Sequence, residues 1–398
     1  MVRPAGICPG AGWLQPSDPS MSKKLFLTVL AVALSTKAIP QSTTPTTAQA
    51  LEQQGRWAEA AQAWRTIAQK NPKDARAFAS LGVVLSKQQS YKEAASAYRR
   101  ALALNPRLPS IQLNLGLAEF KQGHFGSAIP PLKAALLAHP SSAQAQTLLG
   151  ISYYGAKRFA DAVRYLEPAA KADPDNTELH HMLAQSCLQA KQYPCALEEF
   201  RQIVNKDPNS APAHILTGEA LDGLGKTPEA IAEFQTAAKV SPREPNVYFG
   251  LGYLYWKSNQ FDEAERQFKN QLALDPGNAL ALAYLGDLEM KRSDHEKALT
   301  YLRQAVQLRE DIRIAYMDLG IILAEAKQYA EAIDALQRAA QLDPAQPDAH
   351  YRLGRVYQNM GNKSAAQQEL NKVQELHKAA DEDMASQMAR AAGRNSSQ

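Results

Sequence analysis

Residues 251–286 read LGYLYWKSNQFDEAERQFKNQLALDPGNALALAYLG, and this stretch decides the fold. The dipeptide Leu251-Gly252 returns as Leu285-Gly286 after 34 residues. Between the two copies lie two amphipathic runs, and the second run is followed by Pro276. A fixed period of this length predicts stacked helical hairpins, none of which can bury its apolar face alone.

The same period extends along most of the chain. Counted from Gln41, ten units of 34 residues cover 41–74 through 347–380. A proline closes eight of the ten units, and Glu310 takes its place in the eighth; the prolines are Pro72, Pro106, Pro140, Pro174, Pro208, Pro242, Pro276 and Pro344. An alanine occupies position 20 of all ten units: Ala60, Ala94, Ala128, Ala162, Ala196, Ala230, Ala264, Ala298, Ala332 and Ala366.

Small and large residues alternate within each unit in a way that suits two packed helices. Position 8 is glycine in eight units, and position 24 is a bulky apolar residue such as Phe234 or Phe268. Apolar residues three and four apart form one face of an amphipathic helix. Glycine and alanine let two helix backbones cross closely, and we expect proline to stop the second helix because it lacks an N–H.

This pattern resembles the tetratricopeptide repeat. One unit matches through Leu251-Gly252, Tyr255, Ala264, Phe268 and Pro276. The resemblance covers about 340 of the 398 residues. It implies an all-α fold, a right-handed α-solenoid (superhelix) of about ten stacked 34-residue helical hairpins, whose first helices line a concave groove that holds an extended peptide or a partner helix. The local departures are Pro45 in a weak opening helix, Ala184 in place of glycine, and Glu310 in place of proline.

The predicted domain organisation follows from the repeats. Residues 48–380 form the solenoid, and the Pro/Thr-rich residues 39–47 form a disordered spacer. Residues 381–398 are the end of a C-terminal capping helix and a frayed tail. Residues 1–38 are a dispensable leader plus a signal peptide.

The leader has the order of a secretory signal peptide that begins at Met21. Ser22-Lys23-Lys24 supplies positive charge, residues 25–34 are apolar, and Ser35-Thr36-Lys37-Ala38 offers small residues for cleavage. We therefore expect export to the bacterial periplasm or secretion. Two alternatives stay open: a tether through an uncleaved apolar segment, or a cytosolic protein with a stray apolar run. Ten apolar residues are too few for a spanning helix, so we expect no membrane span in the mature chain.

Charge argues against a nucleic-acid partner. The net charge is +4, and outside residues 1–38 it falls to +1, from 40 basic and 39 acidic side chains. No unit carries a basic stripe of the kind that binds phosphates.

Two cysteines fall in one hairpin, close to its connecting turn. In an oxidising compartment Cys187 and Cys195 could form a disulfide. Alternatively they are small residues in ordinary packing positions, since Tyr153 and Tyr255 occupy the equivalent of Cys187.

No catalytic or metal-binding motif is present, and we expect no enzymatic activity, no metal and no cofactor. The glycines are spaced by 34 residues rather than gathered in a phosphate-binding loop. His180-His181 cannot chelate one ion, because adjacent residues of a helix diverge by about 100°. His180, His214 and His350 share position 4, and we interpret them as aromatic-sized spacers.

The candidate site is the groove face, which we define as positions 2, 5, 9 and 12 of each first helix. Two apolar groups stand out there. The first is Phe249, Tyr253 and Trp256, and the second is Leu113, Leu117, Phe120, Ile151 and Tyr154. Packing within a hairpin does not need these positions, so an apolar row there predicts a ligand. Alternatively, superhelical curvature buries the rows between neighbouring hairpins.

Two functions remain from the sequence. The first is an exported, non-catalytic scaffold that binds an apolar or aromatic segment of a protein or peptide partner in the groove. The alternative is a structural assembly module of the cell envelope that acts through self-association or its convex face.

Overall fold

The computed structural model describes residues 44–108 and 110–395, and in that part of the chain all regular structure is α-helical. Twenty helices form ten hairpins, each with a first (A) helix and a second (B) helix, which confirms the predicted solenoid. The A helices are α1 (Pro45–Gln53), α3 (Ala75–Lys87), α5 (Ile111–Lys121), α7 (Ala143–Gly155), α9 (Thr177–Gln189), α11 (Ala211–Gly223), α13 (Val247–Lys257), α15 (Ala279–Lys291), α17 (Arg313–Glu325) and α19 (Asp348–Asn359). The B helices are α2 (Trp57–Lys70), α4 (Tyr91–Leu104), α6 (Phe125–Ala138), α8 (Phe159–Ala172), α10 (Tyr193–Lys206), α12 (Thr227–Val240), α14 (Phe261–Leu274), α16 (His295–Leu308), α18 (Tyr329–Leu342) and α20 (Lys363–Asn395).

Each hairpin is closed by a small residue beneath a large one. A side-chain carbon added at Gly252 would lie 2.6 Å from the ring of Phe268, and one at Gly286 would lie 2.6 Å from Leu302. The alanine at position 20 is buried in every hairpin, as at Ala264. Glycine at position 8 thus leaves space for the bulky residue at position 24 in eight hairpins, while Ala48 and Ala184 occupy the position in the other two.

The turn between the A and B helices has the same backbone conformation in every hairpin. The residue at position 15 adopts a positive φ of 58–76°, at Gly55, Gln89, Gly123, Lys157, Lys191, Gly225, Asn259, Ser293, Lys327 and Gly361. A left-handed residue commonly ends a helix, and glycine adopts this conformation without steric cost. Six of the ten residues are not glycine, so the sequence carries no uniform signal for this turn.

Proline is not the only feature that ends a B helix. α16 ends at Leu308, the same position of the repeat as Leu274 and Leu342, although Glu310 replaces proline in that unit. Arg309 has extended backbone angles, and Ile312 is buried in the core ahead of α17. The helix therefore ends at the same position without proline.

The first helix begins earlier than the sequence indicated. We predicted a disordered spacer to residue 47, but α1 begins at Pro45, which occupies the first helical position instead of the interior. Proline suits this position because its missing N–H would have no partner there. Thr44 caps the helix by accepting a hydrogen bond from the backbone N–H of Thr47. The predicted leader and residues 39–43 lie outside the described residues.

The A helices line the concave side of the stack. Successive A helices contact one another more than successive B helices do, which is the expected geometry for the inner side of a curved array. α15 and α17 have the most extensive contact of this kind. At the other end, α20 continues past the last hairpin, and Met384 on it is exposed.

Candidate functional site in the concave groove

The predicted aromatic row lies on one face of α13. Phe249, Tyr253 and Trp256 are four and three residues apart, so their side chains point in similar directions. All three are half-buried. The row therefore belongs partly to the groove surface and partly to the packing between hairpins.

The next hairpin covers one side of this row with a single side chain. The ring of Tyr284 on α15 lies 5.9 Å from Phe249, 5.7 Å from Tyr253 and 5.0 Å from Trp256, measured between centroids. It also stacks on Phe268 at 5.4 Å. We expected either a free ligand surface or a buried row; the geometry combines the two, because Tyr284 buries one edge of the row.

Trp256 is fixed by a polar contact across the same junction. Its indole Nε1 donates a hydrogen bond of 2.5 Å to Oδ2 of Asp287. Asp287 is buried, and Lys291 reaches its other carboxylate oxygen at 3.0 Å. The ammonium group of Lys291 also lies 5.6 Å from the Trp256 ring, a favourable position over its negative face.

A second carboxyl group is buried beside this contact. Asp318 on α17 is 4% exposed, and its Oδ2 has no hydrogen-bond partner among the described residues. Burial, with a smaller contribution from the charge of Asp287, raises the pKa of Asp318 to about 8, although Lys291 opposes the shift. The close approach of α15 and α17 thus holds a neutral carboxylic acid in the wall of the groove at neutral pH.

A pocket of about 290 Å³ opens between α11 and α13. Its apolar lining includes Ile215, Phe249 and Tyr253, and its acidic residues are Glu219 and Asp222. Asp222 is paired with Lys257 at 2.7 Å. Glu219 stays in contact with solvent and has no hydrogen-bond or ion-pair partner among the described residues, and partial burial raises the pKa of its carboxyl group.

The second predicted group lies on α5 and α7. Leu113, Leu117, Phe120, Ile151 and Tyr154 are all half-buried. The rings at position 12 contact the B helix of their own hairpin, since Phe120 lies 5.6 Å from Phe125. The hydroxyl of Tyr154 donates a hydrogen bond to Gln185 of the next hairpin.

The fold does not bring the two groups together. The second group belongs to hairpins three and four and the aromatic row to hairpin seven, and neither α5 nor α7 packs against α13. They are separate surfaces along one groove. The aromatic row differs from the second group in adjoining a pocket with an unpaired carboxylate.

Three histidines, of which His180 and His214 are buried and His350 is half-buried, have partners that the sequence interpretation missed. Nδ1 of His180, His214 and His350 each lies 2.6 Å from a glutamate of the same hairpin, at Glu199, Glu233 and Glu369. We predicted aromatic-sized spacers, and the histidines do fill that space, but each also bonds a carboxylate. The signal was available within the repeats, because position 23 is glutamate only in the three units where position 4 is histidine.

Cys187 and Cys195 lie at bonding distance. Their sulfur atoms are 1.97 Å apart and their Cα atoms 5.8 Å apart, a separation that a disulfide spans. The bond joins α9 to α10 beside the turn between them. It lies in hairpin five, adjacent to the hairpin that supplies α11.

Two further observations concern the described part of the chain. Residues 44–108 and 110–395 contain no group of three or more His, Cys, Asp or Glu side chains arranged to hold a metal ion. Within the same residues no helix is both long enough and apolar enough to cross a lipid bilayer.

Family models match nearly the whole described chain. Models described as "Tetratricopeptide repeat" match residues 46–109, 113–163, 251–311, 153–219 and 347–379, and one described as "TPR repeat" matches residues 218–259 and 320–361. No curated protein matches the sequence.

Several solved structures are similar. YrrB, described as a TPR protein with an unusual peptide-binding site, is 25% identical over 46% of this chain and 93% of its own, with a TM-score of 0.37. Yeast Tom70 is 14% identical over 88% of this chain and 95% of its own, with a TM-score of 0.42. Cut9–Hcn1, an APC/C hetero-tetramer, is 17% identical over 83% of this chain and 73% of the matched chain, with a TM-score of 0.44.

Proposed function

Because this chain belongs to the tetratricopeptide repeat family, we propose that it is a non-catalytic protein-interaction scaffold that binds an apolar or aromatic segment of a partner in its concave groove. The observation that carries this proposal is the half-buried aromatic row of α13 beside an open pocket. Aromatic side chains that are held rigidly by their neighbours bind a partner with little further loss of entropy.

The rigidity of the row supports this role. Tyr284 packs against all three rings, and Asp287 holds the indole of Trp256. Within the row, Tyr253 packs against Tyr284, lines the pocket and lies in the middle of α13. We therefore expect Tyr253 to contact the partner segment directly.

Site-specific photocrosslinking tests this function. The photoreactive residue p-benzoylphenylalanine replaces Tyr253 in one variant and Leu137 in another. Leu137 is the matched control because it is a large apolar residue on a B helix and is 81% exposed. We expect cross-linked protein adducts from position 253 and none from position 137. Adducts from position 137 alone contradict the groove and favour the alternative function, assembly through the convex face.

We further propose that the protein is exported, with translation starting at Met21 and cleavage between about Ala38 and Ala50. The order of charged, apolar and small residues after Met21 supports this, and so does the pairing of Cys187 with Cys195, since disulfides persist in oxidising compartments. N-terminal sequencing of the protein from its native cells decides the matter. A soluble cytosolic product that retains Met21 contradicts export, and a membrane-bound one indicates the tethered alternative.

A further inference from the structure

At two junctions the residue at position 6 of an A helix covers the groove face of the A helix before it. Tyr284 lies against the aromatic row of α13, and the buried Asp318 lies beside Asp287 of α15. From the second unit to the tenth this position is occupied by Ser80, Asn114, Leu148, Met182, Leu216, Gly250, Tyr284, Asp318 and Arg352. Among these nine residues, only Gly250 has no side chain.

Part of α11 lines the pocket next to Gly250. Three residues of α11 line this pocket between α11 and α13: Ile215, Glu219 and Asp222. We call this pocket the notch; Phe249, Gly250 and Tyr253 form its lining on the α13 side.

The notch is a fixed feature of the fold. A side-chain carbon at Gly250 would lie 2.2 Å from Cε1 of Phe234, which is buried beneath it. Phe234 also fills the space over Gly218 of its own hairpin. Glycine at position 250 is therefore required by Phe234, which also lines the pocket.

The charge of the notch is not balanced by the protein. Lys257 neutralises Asp222, whereas Glu219 has no cation or hydrogen-bond donor near it among the described residues. In units three to nine the groove face carries four carboxylates, at Glu178, Glu219, Asp222 and Asp287. Lys257 pairs with Asp222 and Lys291 with Asp287, so Glu178 and Glu219 are the two that have no cationic partner among the described residues.

These observations select the chemistry of an occupant. A purely apolar side chain would bury Glu219 without compensation, which costs free energy. Lysine and arginine combine an apolar stem with a cationic head, so one side chain can cover Ile215 and also pair with a carboxylate. The face of Tyr253 adds a favourable cation–π contact.

We propose that the notch binds one lysine or arginine side chain of the partner segment, with the stem against Ile215 and Phe249 and the cationic head at Glu219. This proposal rests on the proposed function, because it names the chemistry of one residue within the segment that the groove binds. It predicts that the segment combines apolar or aromatic residues with at least one basic residue.

A display selection tests the proposal although the partner is unidentified. A library of random 12-residue peptides is selected on the purified full chain, and the enriched peptides are measured by fluorescence anisotropy. We expect a lysine or arginine in the enriched peptides, and a loss of affinity of about tenfold when norleucine or glutamine replaces it. Enriched peptides without any basic residue overturn the proposal.

Three variants separate the outcomes. Glu219→Gln should weaken binding about tenfold, while the matched control Glu178→Gln, an exposed and unpaired groove carboxylate on α9, should not. Circular dichroism checks that both are folded. Peptides that lose affinity on Tyr253→Ser but not on Glu219→Gln refute the notch and leave the proposed function standing. Failure to enrich any peptide, or indifference to Tyr253→Ser, contradicts the proposed function itself.

Discussion

At the scale of one residue, Asp318 shows that tertiary packing changes the pKa of a carboxyl group in a way that the repeat pattern does not predict. The preceding unit has Tyr284 at the same position, and both side chains cover the helix before them. Asp318 is a buried carboxyl group next to the charge of Asp287, and its Oδ2 has no hydrogen-bond partner among the described residues. Its neutral form is favoured because an isolated buried carboxylate has lost its hydration.

The first prediction concerns Asp318→Asn. The native pKa of about 8 lies above the ordinary value of 3.8 for an aspartate, so the folded state holds an extra proton between those pH values. Stability is therefore lost as the pH rises from about 4 to about 8. Asparagine does not titrate, and we expect the variant to be more stable than wild type by roughly 3–5 kcal/mol at pH 8 and by less at pH 5.

Urea unfolding at the two pH values measures this effect. Wild type and variant should differ more at pH 8 than at pH 5. A difference that does not depend on pH would show that Asp318 is ionised in the folded protein and reached by solvent or a cation.

The second prediction concerns His214. Burial alone lowers its pKa, but the hydrogen bond to Glu233, the bond from Nε2 to the carbonyl oxygen of Pro208, and the charges of Glu233 and Asp207 together raise the pKa above 6.5. Both ring nitrogens face acceptors, so the protonated ring, which donates from both, satisfies both contacts. The resulting stability is present below pH 6.5 and is lost as the pH rises through the raised pKa.

A histidine NMR titration checks this interpretation. We expect the pKa of His214 to lie above its ordinary value in wild type and to fall in Glu233→Gln, because the variant loses the charge of the carboxylate. An identical titration curve in the two proteins would exclude Glu233 as the cause.

At the scale of the element, the turn between the two helices of a hairpin gives the third prediction. Gly225 has a φ of +74°, and an added side chain would meet no atom within 4 Å. Gly225→Ala should therefore destabilise the protein by about 1 kcal/mol through backbone strain alone. Gly126, inside α6, also has open space around it, and Gly126→Ala should stabilise by up to about 1 kcal/mol, because alanine favours the helix.

Thermal unfolding of the two variants provides the comparison. We expect the midpoint temperature of unfolding to fall in Gly225→Ala and to rise in Gly126→Ala, although both replace glycine with alanine. Shifts of the same sign would contradict a cost of backbone conformation at position 225.

The hairpin is also the scale at which sequence prediction was most successful. The position 8 glycine, the position 20 alanine and the position 24 bulky residue predict the packing inside a hairpin, and Gly252 and Phe268 meet as expected. These contacts involve positions whose small or bulky character repeats in every unit. The pairing of His214 with Glu233 could have been predicted too, since both positions change together among the units.

The contacts between hairpins were harder to predict. The orientation of Phe249, Tyr253 and Trp256 follows from helical spacing, but their cover by Tyr284 depends on the angle and distance between successive A helices. No local pattern encodes that geometry. The notch depends on it as well, because its lining comes from both α11 and α13.

At the scale of the whole molecule, the groove is a series of different surfaces built on one repeat. Hairpins three and four present aliphatic and aromatic side chains without charge, and hairpins six to eight present aromatic rings with carboxylates. Because each hairpin contacts mainly its neighbours, a change in one surface should leave the distant one intact. A long partner segment could use both surfaces at once.

Hydrogen–deuterium exchange with a bound ligand tests the central claim most directly, namely that the concave groove around α13 binds a protein segment. The ligand is the peptide of highest affinity from the display selection, at saturating concentration. We predict slower exchange in α11 (Ala211–Gly223) and α13 (Val247–Lys257), with α12 and α14 on the convex side unchanged. Protection confined to the B helices or to α20, while the peptide is demonstrably bound, would contradict the claim.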